Sequence, residues 1–497
     1  MRKIKFKAIW LICLLSFVSA LTFNLLNLNE LPAENKRQGQ TIITADDASY
    51  LRPPENFIKT GIWKDNSIGT QSYFVRPPGY GILYYICVKT AGFDGALSLL
   101  KALQLILFSL SVYWLSYICQ QLFKSRRAAY IIAILYGILP LASNFLFYTL
   151  SEGIAPTLLI YFVYLLFKAD NTNILKTKRV YFLWASLIFA YLLIVRPQVG
   201  LFGILLPLFL LKNYLKYGVK KLIIKVITFS LIAFSFMIVW QVRNYKLTGK
   251  YVGIHSIYYE DGNSMFRMPY QSCWDFVKGW GQEGQTIFSY MPSMWQETIE
   301  STPTDKYINK ALSTFPKKVK THFGEERLIN AFKLYQQAVL YQKPFYENKE
   351  PMPLKMGKSE IAAVTNFNQL TKEFKSKFWL DYYFIAPAKV FKVMAFHSNL
   401  SLYIFQKTYR GNILMESFRY IAFAIHSLCF IALLISLFIL KQTDWKLGFI
   451  NLICLIYVLY LCFFQRGIEE RYTLPILPFL IIGLFNAWEI FWSRLRS

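Results

Sequence analysis

The 497-residue chain is 55% hydrophobic and 18% aromatic, with only 17% charged residues and a formal net charge of +27. An ordinary soluble domain carries about 25% charged residues, and here the apolar residues come in long runs rather than at amphipathic spacing. Runs of ~18 or more can cross the ~30 Å hydrocarbon layer as helices, which excludes a soluble enzyme and assigns the positive charge to membrane sidedness, not to nucleic acid.

The first apolar run, Ala8 to Leu28, follows basic residues Arg2 to Lys7. It reads as a retained helix, because it is longer than the core of a secretory signal, although Val18-Ser19-Ala20 loosely matches a cleavage site. Further spans are expected at about 97–122, 128–147, 153–168, 180–195, 199–212, 220–241, 417–440, 447–464 and 472–492. The fold class is therefore an all-α polytopic membrane protein with about ten spans, within a range of 9–13. Basic residues gather in alternate short loops: Lys124, Arg126 and Arg127, then Lys176, Lys178 and Arg179, then Lys212, Lys216, Lys220 and Lys221, and finally Lys441, Lys446, Arg494 and Arg496. The short loops on the other side hold only Arg196, Arg466 and Arg471. By the positive-inside rule both termini are cytoplasmic.

Three regions follow: a membrane module at 1–241 with a first outer loop at 29–95, an extracytoplasmic domain at 242–412, and C-terminal membrane helices at 413–497. Within the first loop, Tyr80 to Val88 is apolar but too short to span, so an interfacial helix is expected. The larger domain reads as mostly helical, with amphipathic stretches around Lys306–Lys320 and Glu325–Tyr341 and a break at Pro351-Met352-Pro353. The seven scattered cysteines show no CxxC, so neither a disulfide framework nor a zinc site is indicated. His255, His322, His397 and His426 lie far apart and show no metal spacing, and no Walker A, GxGxxG or G-x-S-x-G motif is present.

Chemistry concentrates in the first outer loop, which reads Ala45-Asp46-Asp47-Ala48-Ser49-Tyr50, then Thr60-Gly61-Ile62-Trp63, then Arg76-Pro77-Pro78-Gly79-Tyr80. One carboxylate of the Asp46/Asp47 pair can accept a proton from an acceptor hydroxyl. The other can raise its neighbour's pKa or hold a metal. The competing reading is a solvated acidic turn or a helix N-cap. Arg76 beside two prolines is a cation on a stiff backbone, suited to two oxygens of a phosphate or to a lipid headgroup. Glu152, at the outer end of a span, is a functional candidate by position or else a helix-dipole partner.

The order DD-x-x-Y, Gly-aromatic, RPPGY before a short apolar helix resembles the first outer loop of GT-C-fold membrane glycosyltransferases. The similarity is to the branch with protein O-mannosyltransferases and aminoarabinose transferases (glycosyltransferase family 39/83-like), where the acidic pair is usually Asp-Glu. Ser151-Glu152, Arg196-Pro197, Trp240-Gln241-Val242-Arg243-Asn244-Tyr245 with Gly249, and Glu470-Arg471-Tyr472 before Pro475 and Pro478 resemble later features of the same branch. The resemblance covers residues 1–250 and about 465–497.

It implies a GT-C fold and inverting transfer of a sugar from a polyprenyl-phosphate donor to an extracytoplasmic glycan, lipid or protein acceptor. Asp46 would be the base, with Asp47 beside it, and Arg76, Arg196, Arg243 and Arg471 would stabilise the leaving phosphate. Tyr50, Tyr80, Glu152 and Asn244 are the remaining site candidates. No cofactor is implied; a divalent metal at Asp46/Asp47, as in oligosaccharyltransferase relatives, is the less favoured variant because the more similar branch transfers without one. The location implied is a bacterial inner membrane with the site facing the periplasm. An O-antigen polymerase or ligase would rely on arginines and a histidine in a late loop. A secondary transporter would show two similar halves with a midplane site.

Overall fold

A computed structural model describes residues 6–37, 41–44, 46–65, 76–248, 251, 265–348, 350, 352–353, 355–396, 403–405, 408–467 and 470–496. Arg2, Ala45, Gly249, His255, Pro351, His397 and the side chain of Glu470, all named above, lie outside the described residues. Among the described residues, nine helices are long and apolar enough to cross a membrane.

Helix α1 (Phe6–Glu30) leads into a short antiparallel hairpin, β1 (Lys36–Arg37) and β2 (Thr41–Ile42), and then α2 (Ala48–Thr60). The apolar stretch Tyr80 to Val88 is helical and forms the start of α3 (Gly79–Phe123). Gly92 breaks that helix with φ 70° and ψ 176°, a backbone region that costs glycine little and other residues much. The part after Gly92 is the second span. Next, α4 (Arg126–Ile138) opens on Ser125, whose hydroxyl accepts from the Ala128 amide. It stops before Pro140, since the residue preceding proline is pushed out of the α region. One more turn, α5 (Pro140–Ser143), ends the third span earlier than the hydropathy suggests.

Helices α6 (Ala155–Asn171), α7 (Leu175–Val195), α8 (Leu205–Tyr214) and α9 (Val219–Thr248) complete a seven-span module. The sixth span enters through a 3-10 stretch, Pro197–Ile204. All seven expected spans of this half are therefore helical.

The larger extramembrane domain is helical, as expected. It comprises α10 (Met268–Val277), α11 (Gln282–Ser289), α12 (Met291–Glu300), α13 (Lys306–Thr314), α14 (Lys317–Phe323), α15 (Glu325–Glu347) and α16 (Lys358–Lys377). It has its own core of Phe276, Trp280, Phe332, Phe367 and neighbours, separate from that of the membrane helices. Inside it Arg267 grips Glu360 bidentately, at 2.6 and 2.8 Å, and donates to the Pro353 carbonyl at 2.7 Å. Both charges are buried, so the pair has to be satisfied this fully to persist.

After a π-helical turn at Asp381–Ile385 comes α17 (Ala386–Phe396). This helix does not belong wholly to the extramembrane domain as its sequence position suggests, because its Val390, Met394 and Ala395 join the core of the membrane helices. The chain then returns through α18 (Ile413–Ile435), α19 (Trp445–Tyr460) and α20 (Leu477–Arg496). The tenth span expected at 472–492 corresponds to helix α20, packed on α18 and α19, which is not among the nine apolar enough to cross. Asn486, Glu489 and Arg494 make it more polar than the other nine.

Candidate functional site

The loops at one end of the bundle are tied together by backbone. Ile42 donates its amide to the Phe147 carbonyl at 2.9 Å and bridges Tyr148, so the first loop is stitched to the turn before α6. Gln104 inside α3 supports that turn from below, donating to the Leu146 carbonyl at 2.6 Å and accepting from the Tyr80 hydroxyl at 3.0 Å. Gly79 meets the end of α7 so closely that a Cβ would lie 2.6 Å from the Val195 nitrogen and 2.7 Å from the Ile194 oxygen. The Tyr191 hydroxyl donates to the Gly79 carbonyl at 2.9 Å. Arg76 and Arg196 are thus carried on two segments in backbone contact.

Between these loops lies a cavity of about 590 Å³. One wall holds five charged side chains in alternating sign. Arg76 Nη2 is 2.7 Å from Asp46 Oδ1, and Arg471 Nη2 is 2.6 Å from Asp46 Oδ2. Arg471 Nε approaches Glu152 Oε1 at 3.6 Å, and the same oxygen receives Arg196 Nη1 at 3.0 Å. The cavity is also lined by Leu193, Leu201, Phe234 and Tyr460. Burial alone would raise the Asp46 carboxyl, but Arg76 and Arg471 outweigh it and hold it below the usual carboxylate range. Buried nearby and without a partner are Arg196 Nε, a donor, and Gln198 Oε1, an acceptor. Such atoms gain most from a polar ligand, since a buried unsatisfied group costs about 1–3 kcal/mol.

Adjacent in sequence, Asp46 and Asp47 face different ways because they sit at the turn into α2. Asp47 is 2% exposed and lies away from the cavity. Its Oδ2 accepts from Arg37 at 2.8 Å, the Thr44 amide at 3.2 Å and the Thr149 hydroxyl at 3.2 Å. It pins the loop. A divalent cation does not fit this pair, since Asp46 oxygens face two arginines and Asp47 faces a third. No group of three or more His, Cys, Asp or Glu that could hold a metal occurs among the described residues.

Tyr50 lines the cavity, with its hydroxyl 3.3 Å from Ser151 Oγ and the Arg76 guanidinium 5.5 Å from its ring centre. Tyr80 is buried behind it, in edge contact at 5.3 Å. Arg243 and Asn244 are not among the cavity residues. Arg243 donates to the Trp63 carbonyl, lies 4.5 Å from the Trp240 ring centre, and donates to Asn244 Oδ1 at 2.9 Å. It clamps α9 to the first loop.

Sequence reading missed Gln198, Tyr460 and Tyr472 as cavity residues, and Arg37 as the partner of Asp47. It also left Arg466 without a role. That residue takes a left-handed φ of 56° and donates to the Tyr382 carbonyl at 2.8 Å, joining the extramembrane domain to the end of the helical stretch that begins with α19. Its one signal was being the outer-loop arginine outside every motif.

Fold and site together define a polytopic helical membrane protein with an arginine–carboxylate cavity at one end of its bundle. No family model and no curated protein sequence matches the chain. Among solved structures, the chain is similar to ArnT from Cupriavidus metallidurans bound to undecaprenyl phosphate, with 11% identity, a TM-score of 0.36, and coverage of 95% of this chain and 76% of that one. It is also similar to the Archaeoglobus fulgidus oligosaccharyltransferase tethered with an acceptor peptide, with 12% identity, a TM-score of 0.39, and coverage of 97% of this chain and 50% of that one.

Proposed function

We propose that the chain is a glycosyltransferase that moves a sugar from a polyprenyl-phosphate carrier to an acceptor hydroxyl or phosphate on the extracytoplasmic side. The observation that carries this reading is the cavity itself. Three arginines line a cavity whose apolar residues include Leu193 of membrane helix α7 and Phe234 of membrane helix α9, which suits an anionic headgroup on a lipid tail. Sidedness follows from the charges: Lys212 and Lys446 meet Asp170 at the other end of the bundle, where the basic loops gather, so the cavity end faces outward.

In this mechanism Asp46 accepts the proton of the acceptor hydroxyl as its oxygen bonds to the anomeric carbon. The bond from that carbon to the carrier phosphate oxygen breaks, and its electron pair leaves with the phosphate. Inversion follows from attack opposite the leaving group. Arg76, Arg471 and Arg196 stabilise the growing negative charge, and fixed charges of this kind contribute several kcal/mol in a site with little water. Asp46 then returns its proton to solvent. Asp47, Tyr80, Arg243 and Asn244 act as positioning residues.

The test offers radiolabelled polyprenyl-phosphate sugars, with membrane extract as acceptor, to the purified protein and to Asp46→Asn. Label transfer that vanishes in the variant supports the reading. Donor flux into liposomes without turnover would replace it with a transporter. Transfer unaffected by Asp46→Asn would favour a polymerase or ligase with its base elsewhere.

A further inference from the structure

Residues 377–396 connect two separate cores. Tyr382 packs into the core of the outer domain, while Val390, Met394 and Ala395, about two to four turns further on, pack among the membrane helices. Phe391 lies 6.1 Å from Phe430, in the second half of α18. Helical turns run unbroken from Trp379 through the π-helical turn to Phe396, and Asp381, Lys389 and Lys392 within them suit an interfacial segment more than a span. The intervening π-helical turn adds a residue and re-aims the face that follows.

The side turned away from both cores is exposed and apolar. Trp379, Leu380, Tyr383, Phe384 and Ile385 are each 40–59% exposed, with Phe396 beyond them. Trp379 and Phe384 contact each other edge-on at 6.0 Å. Lys377, Lys389 and Lys392 stand exposed along the same segment, Lys389 also pairing with Glu283 at 3.2 Å. Large adjoining apolar groups are not left in water on a soluble domain without a partner. Aromatic side chains beside lysines form the pattern that settles at a membrane surface, the rings at headgroup depth and the lysine stems reaching back to phosphates.

We propose that this face is seated in the bilayer leaflet on the domain's own side, and that its lysines engage anionic phospholipid headgroups. The occupant is lipid, not a protein, because the same helix continues without interruption into the membrane core. The outer domain is thereby held on the membrane at a second point beside its covalent links to α9 and α18. This inference is independent of the proposed transfer reaction.

The experiment uses the full chain in nanodiscs. All seven native cysteines are buried, so an environment-sensitive fluorophore can be placed at Phe384→Cys, or at Trp379→Cys if the first variant folds poorly. Phospholipid brominated near the headgroup end of its acyl chains should about halve the emission at either position, since an interfacial helix sits only ~5–10 Å deep. The same probe at Lys358→Cys, at the far end of α16 and about 28 Å away along the helix, should be unaffected. Replacing zwitterionic lipid by phosphatidylglycerol should raise the melting temperature of the parent protein, and a Lys377/Lys389/Lys392→Gln variant should show a smaller gain. Unquenched emission at both positions overturns the proposal, as does emission that changes with protein concentration, which would mean a second copy covers the face. An equal phosphatidylglycerol gain in the lysine variant overturns the headgroup assignment.

Discussion

Replacing Asp46 with asparagine should tighten binding of the carrier phosphate while abolishing transfer. The Asp46 carboxylate occupies Nη2 of both Arg76 and Arg471. A phosphate received by those arginines must displace or share these bonds, and it meets the carboxylate's own negative charge. With phosphate and carboxylate on opposite edges of one guanidinium, roughly 6 Å apart, and an effective dielectric of about 40 for a half-exposed site, the repulsion is about 1.4 kcal/mol. Removing it corresponds to about tenfold tighter binding. Asparagine keeps one acceptor oxygen for the arginines, so the fold is retained. Transfer should nevertheless fall by about 10²–10⁴, the usual contribution of a positioned base. The assay is calorimetric titration of a detergent-solubilised polyprenyl monophosphate into parent and variant at one ionic strength, beside their melting temperatures. Weaker binding by a variant that melts normally would refute the idea that these arginines receive the phosphate.

Asp47→Ala should behave differently, because it leaves Arg37, Thr44 and Thr149 without their shared acceptor. A loss of roughly 2–4 kcal/mol is expected, read as a lower melting temperature, with activity per folded molecule less affected than in Asp46→Asn. Gly79→Ala should destabilise by about 1–3 kcal/mol or more, because the new methyl meets backbone that cannot yield; activity should fall with it as Arg76 and Arg196 move apart, measured by thermal scan and label transfer. The pH profile follows from the depressed Asp46 carboxyl, faced by Arg76, Arg471 and, through Arg471, Glu152. Its stabilising contribution is complete above the unfolded value near ~3.9 and is lost as pH falls through the lower folded value, so kcat/KM should show no acid limb above pH ~4; a limb centred near 6 would assign the base to another group.

The membrane spans were legible because hydrocarbon thickness imposes a length that few other structures need. The cavity was partly legible for a related reason: charges are scarce beside spans, so Arg76, Glu152, Arg196 and Arg471 stood out. Direction was not legible. Asp46 and Asp47 have the same chemistry in sequence, and only the turn into α2 decides that one faces the cavity and the other Arg37. Arg243 carried the same charge signal as Arg471, yet its position on α9 aims it at the Trp63 carbonyl. The membrane contact of α17 was hidden because it has too few residues for a hydropathy window, with Lys389 and Lys392 diluting those it has. Arg37 gave no signal, since ion pairs ten residues apart in a loop follow no period.

The backbone contact between Gly79 and the end of α7 also bears on how the chain can change over evolutionary time. Side-chain contacts wander as cores repack, but two main chains touching without an intervening methyl hold a fixed gauge. Arg76 lies three residues before that contact and Arg196 one residue after it. Neighbouring helices can therefore exchange most of their apolar residues without altering the spacing of these two cations. An insertion of one residue in 76–79 or 194–196 would alter it at once, so length should be more strictly preserved there than residue identity is in the surrounding spans.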